Sequence, residues 1–118
     1  MTNVCPAPTR VELTARGPSA TLPGHSPRPF TRAVKIQFFS DVHLEFGPAH
    51  LPLTDADVIV AAGDVNVGAQ GVEWLKSTGK PTVYVAGNHE YYGGDIERVQ
   101  AEIRAAVAGS AVRFLECD

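Results

Sequence analysis

"TVYVAGNHEYYGGDIERVQAEIRAAVAGSAVRFLE", residues 82–116, contains the signals of a strand, a turn, a helix and a second strand in one run. "TVYVA" (82–86) is β-branched and aromatic, the composition of a short buried strand. Asp95 can cap a helix in which Ile96, Val99, Ile103, Ala106 and Val107 share one face, and Gly109 supplies its stop. "VRFLE" (112–116) is the next strand. Strand, helix and strand in succession predict a crossover between parallel neighbours.

The same reading extends upstream. "VKIQFF" (34–39) and "DVIVAA" (57–62) are strand runs, and "GVEWLKS" (71–77) predicts a shorter helix. The stretch 47–54, with Pro48 and Pro52, reads as loop. The fold class is therefore α/β, built on βαβ units with a largely parallel sheet of four strands. That is about half of an ordinary α/β domain.

The first 33 residues contrast with the rest. They hold six of the nine prolines and no helical or strand period, so they are expected to form a disordered tail preceding a domain at 34–118. The sole methionine lies at position 1, and Val34, whose GTG codon can initiate in bacteria, suggests a mis-called start. The tail carries net +3 and residues 34–118 net −6. An acidic folded part argues against a nucleic-acid track, and no run approaches the roughly 18 apolar residues of a membrane span. Cys5 and Cys117 form no metal or disulfide motif; two free thiols in a cytoplasmic protein are the expectation.

Chemistry collects at the strand ends. "SDVHLE" follows the first strand run, "GDVNVG" the second and "GNHEYY" the third. In open α/β sheets the carboxyl ends of strands line the ligand crevice, so these three turns should converge. Asp41 and His43, two apart, would point to one side on extended backbone and grip one ion. Gly63 and Gly87 allow tight turns before Asp64 and Asn88. Carboxylate, imidazole and amide ligands together suit Mn²⁺, Fe or Zn²⁺. Taken singly, each Asp or Asn is equally well read as a turn cap; their coincidence behind three strands favours a metal site. Glu45 and Glu90 are expected in solvated or supporting roles, Phe46 and Trp74 in the core, and Tyr91 and Tyr92 either at a pocket mouth or simply packed beside the following "GG" (93–94).

"DVH", "GDV" and "GNHE", in this order and at these separations, resemble the calcineurin-like metallophosphoesterase family over residues 34–118. The resemblance implies the N-terminal half of a fold of two packed β-sheets flanked by helices. It also implies two metal ions (Mn, Fe or Zn) and hydrolysis of a phosphomonoester or phosphodiester substrate. On that basis Asp41 and His43 hold the first metal, Asp64 bridges both, Asn88 ligates the second, and His89 is the catalytic histidine.

Two departures qualify it. Val67 and Gly68 stand where the family's protein phosphatases carry an Asp and an Arg, which disfavours that activity. After His89 the sequence has no histidine, whereas the family completes its metal shell with three later ones. The expectation is a truncated gene product, inactive alone; the alternative is a non-catalytic binding module on the same fold.

Overall fold

Among the described residues five strands form one sheet in their chain order: β1 (Thr9–Leu13), β2 (Val34–Phe39), β3 (Val58–Ala62), β4 (Thr82–Val85) and β5 (Val112–Phe114). The computed structural model describes residues 9–13 (as backbone), 32–52 and 54–117. β2 to β5 are parallel, with Ile36 opposite Val58, Val60 opposite Val83 and Thr82 opposite Val112. The four predicted strands and their parallel sense are thus present, each within one or two residues of its sequence boundary.

β1 was not expected. It pairs antiparallel with β2, from Thr9 opposite Phe38 to Leu13 opposite Val34. The reading of 1–33 as a tail without strand period does not hold at Thr9–Leu13. This five-residue run carries little signal alone, and its partner is the open edge of β2, more than 20 residues downstream. The start and tail readings for 1–8 and 14–31, and the thiol at Cys5, lie outside the described residues.

Two helices connect the parallel strands, α1 (Val72–Lys76) after β3 and α2 (Ile96–Val107) after β4. α2 starts as its sequence predicts: the Asp95 side chain accepts from the Arg98 amide at 3.1 Å. Val99, Ile103 and Val107 are buried at helical spacing, whereas Ile96 is exposed. Ile96 occupies the first helical position, a turn before the buried face begins at Val99.

Parallel crossovers of one hand, taken in sequential strand order, place successive helices on the same face of the sheet. The burial pattern agrees. Phe39, Ile59, Ala61, Tyr84, Val112 and Phe114 share one core with Val72 and Leu75 of α1 and the apolar stripe of α2. Gln37, also on this face, is buried but satisfied: it donates to the Pro52 carbonyl and accepts from Thr54 Oγ1. The alternate residues Ile36, Phe38, Val58, Val60, Val83 and Val85 face the other way and are only half-buried. No helix among the described residues is long and apolar enough to cross a membrane.

Candidate metal centre

The three strand-end turns are laced together at the carboxyl edge of the sheet. Beyond β2 and β3 the ladder continues: the Asp41 amide donates to Gly63 O, His43 to Asp64 O and Leu44 to Val65 O, at 2.9–3.1 Å. The backbone here is not extended. Asp41, His43 and Asp64 all adopt left-handed conformations, at φ 56°, 51° and 54°. The expectation that Asp41 and His43 share a side by strand alternation is therefore corrected. They approach across a turn with left-handed residues on either side of Val42, which leaves Asp41 Oδ1 3.6 Å from His43 Nε2. Non-glycine residues in this region are strained, and such strain persists where the surroundings over-determine it.

Two glycines allow the second and third turns to meet. A Cβ on Gly63 would lie 2.8 Å from the Gly87 nitrogen, and one on Gly87 would lie 2.2 Å from Asp64 Oδ1. Only hydrogen fits at either place. Asp64 Oδ1 accepts from the His89 amide at 2.9 Å, so its carboxylate is anchored across the junction.

Glu90 locks the junction from below. It is fully buried and accepts four hydrogen bonds: from the amides of Asp64 (3.0 Å), Val65 (2.8 Å) and Gly87 (2.8 Å), and from the Tyr84 hydroxyl (2.8 Å). Two donors on each oxygen satisfy a carboxylate without a cation. Burial first, then the Glu90 charge and hydrogen bond, push the Tyr84 hydroxyl far above its ordinary pKa, so it stays a donor. Glu90 is thus not solvated, as one of its expected roles had it, but a clasp beneath the site. Its adjacency to His89 was the only sequence signal.

Above the clasp, His43, Asp64 and His89 each present a ligand atom, all within 4.8 Å of one another. This group can hold a metal ion. With bonds of about 2.1 Å, tetrahedral ligand atoms lie about 3.4 Å apart, so a pair as far apart as 4.8 Å would close by about 1.4 Å around an ion. Two nitrogens and a carboxylate oxygen suit a borderline divalent metal. Asp41 stands beside the group with an exposed side chain, its Oδ1 next to His43. Asn88 is exposed and gives its amide nitrogen to Tyr92 Oη at 3.1 Å. That leaves its Oδ1, the atom a metal would need, without a hydrogen bond among the described residues.

Glu45 is the second functional residue that the sequence under-read. Its Oε1 lies 3.1 Å from His43 Nδ1 and 2.6 Å from His89 Nδ1. Burial alone would lower the His43 pKa, but the Glu45 hydrogen bond and the charges of Glu45, Asp64 and Asp41 outweigh it and hold it above the ordinary 6.5. Burial would likewise raise the Glu45 pKa. Its own backbone hydrogen bond and the two imidazoles overcome this and hold it below the ordinary 4.5.

Aromatic rings rim the site. Tyr92 stacks on His89 with centroids 4.3 Å apart, and Phe46 lies 5.7 Å from His43 and 6.2 Å from His89. Phe46 is 67% exposed, which corrects its placement in the core. A three-residue 3-10 turn, Leu44–Phe46, presents it outward beyond the end of β2. Trp74 does pack on the core, edge-on to Phe39 at 5.6 Å and donating to Ala49 O. Tyr91 packs inward and Tyr92 outward, so the two expected roles divide between them.

Fold and site together define an α/β protein with a His–Asp–His group at the carboxyl edge of a parallel sheet. No protein-family model, curated protein or solved structure matches this chain.

Proposed function

We propose that this chain carries the first three metal-binding turns of a metallophosphoesterase related to the calcineurin-like family. The complete domain hydrolyses a phosphomonoester or phosphodiester with two divalent or trivalent ions. The observation that carries the reading is the gathering of His43, Asp64 and His89, from three separate strand ends, into one group. Asp41 and His43 are assigned to the first ion, Asp64 to both and Asn88 to the second. The ions, when bound, supply Lewis acidity at phosphorus and a water of lowered pKa.

His89, once protonated on Nε2 as well, donates that proton to the leaving oxygen. Its Nδ1 is engaged by Glu45, so Nε2 is the nitrogen available for that task. The half-buried apolar face of the sheet, Ile36 to Val85, is where the second sheet of such a fold would pack.

The test is metal content and turnover of the 118-residue chain. After dialysis against Mn²⁺ or Zn²⁺, it should retain metal measurable by mass spectrometry. It should hydrolyse a nitrophenyl phosphodiester slowly or not at all, because these residues supply only part of the two-metal shell. Asp64→Ala should lose the metal, whereas His89→Ala should keep part of it and lose any residual turnover. Wild-type protein that retains no metal overturns the proposal.

A further inference from the structure

Glu45 reaches two histidines with one oxygen. His43 is two residues away on the same turn; His89 comes from the turn after β4, 44 residues along the chain. Both contacts are made through Nδ1, and the two rings meet nearly edge-on with centroids 4.3 Å apart. A carboxylate has no proton to give, so at each contact the imidazole must be the donor. A neutral imidazole carries one N–H. Its position on Nδ1 leaves the lone pair on Nε2.

We infer that Glu45 is a positioning residue that fixes His43 and His89 together in the Nδ1–H tautomer, so that both Nε2 atoms are free as ligands or proton carriers.

Among the described residues neither outer nitrogen, Nε2 of His43 or of His89, makes a hydrogen bond. Asp41 Oδ1 lies 3.6 Å from His43 Nε2, beyond hydrogen-bond length. Nor does the carboxylate's other oxygen serve a second side chain among the described residues. Oε2 of Glu45 is buried and has no hydrogen-bond partner among the described residues. A buried, unpartnered carboxylate oxygen is costly, and folding alone gives no reason to place it there. The arrangement is explained if Oε1 is required where it is, between two rings. A carboxylate behind a metal-binding imidazole has the same effect in known metal sites, orienting the ring and raising its basicity.

The functional sense of this inference rests on the proposed metal site, but its test does not. Long-range ¹H–¹⁵N spectra of the metal-free, histidine-labelled chain at about pH 9 distinguish the tautomers directly. His43 and His89 should show the Nδ1–H pattern, while exposed His50 provides an internal reference. Glu45→Met, similar in volume and unable to accept a hydrogen bond, should release at least His89 to the Nε2–H form. It should also weaken Co²⁺ binding by about 10–100-fold. An Nε2–H pattern at either site histidine in the wild type overturns the inference, as does a folded Met variant with unchanged tautomers. Should the variant fail to fold, the wild-type spectrum alone decides. Nδ1–H tautomers in a chain that binds no Co²⁺ would sustain the positioning role and sink the metal reading instead.

Discussion

Glu90 and Glu45 are both carboxylates beside the site, yet the groups facing them set opposite tasks. Glu90 meets four donors that need it and no cation, so its work is structural. Glu90→Ala should cost about 3 kcal/mol or more in urea unfolding, since it strands several buried donors at once. Tyr84→Phe, which removes a single donor, should cost only about 1 kcal/mol. Equal costs for the two would show that Glu90 is not the shared clasp. Glu45 instead sets a pH dependence in the metal-free chain. His43 has a raised folded pKa, so its contribution is complete below about pH 6.5 and is lost as pH rises through the folded value. Glu45 has a lowered one, so its contribution is present above about pH 4.5 and is lost as pH falls through the folded value. Both act together between those limits. Melting temperature in chelator should therefore fall from about pH 6.5 towards 8.5, and His43→Gln should flatten that slope; a rise in the wild type over this range would contradict the pairing. The sequence pointed to Asp41, His43, Asp64, Asn88 and His89 because each stands directly behind a strand. It could not assign Glu45 or Glu90, whose partners lie up to 44 residues away and are set by folding, not by spacing.

At the scale of elements, α2 was legible almost in full: cap, buried stripe and end are local signals that the tertiary fold leaves intact. The strand-end turns were legible in composition but not in conformation. Alternation suggested extended backbone at "DVH", whereas left-handed residues at Asp41 and His43 shape the turn. β1 was missed for a related reason, since a five-residue strand is specified by its partner more than by itself. The close junction of the second and third turns gives a sharp test. Gly87→Ala would drive a methyl into Asp64 Oδ1, and Asp64 cannot yield without breaking its bond from the His89 amide. A loss of about 1–3 kcal/mol is expected, together with a marked fall in metal retention. Gly79→Ala is the control: its φ is +67°, a conformation Gly87 does not adopt, but a Cβ would meet nothing within 4 Å. It should cost about 1 kcal/mol and leave metal retention unchanged. If both variants bind metal alike, the contact with Asp64 is not what positions the site.

For the molecule as a whole, the sequential strand order decides how the sheet is covered. Both helices fall on one face, and on β2, β3 and β4 the alternate residues of the other face are also apolar, Ile36, Phe38, Val58, Val60, Val83 and Val85, whereas β5 presents Arg113 there. An antiparallel sheet facing water on one side would alternate apolar with polar; β2, β3 and β4 are largely apolar on both faces, the pattern of strands built to be covered twice. In the 118-residue chain, however, the two faces should contribute unequally to stability. Val112 is 1% exposed beneath α2, so Val112→Ala should cost about 2 kcal/mol through lost transfer energy and an incompletely collapsed cavity. Val60→Ala removes the same atoms from the half-buried face, where water already reaches them, and should cost less than about 1 kcal/mol. Urea midpoints measured at several protein concentrations separate the alternatives. A small, concentration-independent cost at Val60 means the face is open in the isolated chain. A cost matching that of Val112 means the face is covered in solution; concentration dependence would then assign the cover to a second copy, and its absence to residues of the same chain.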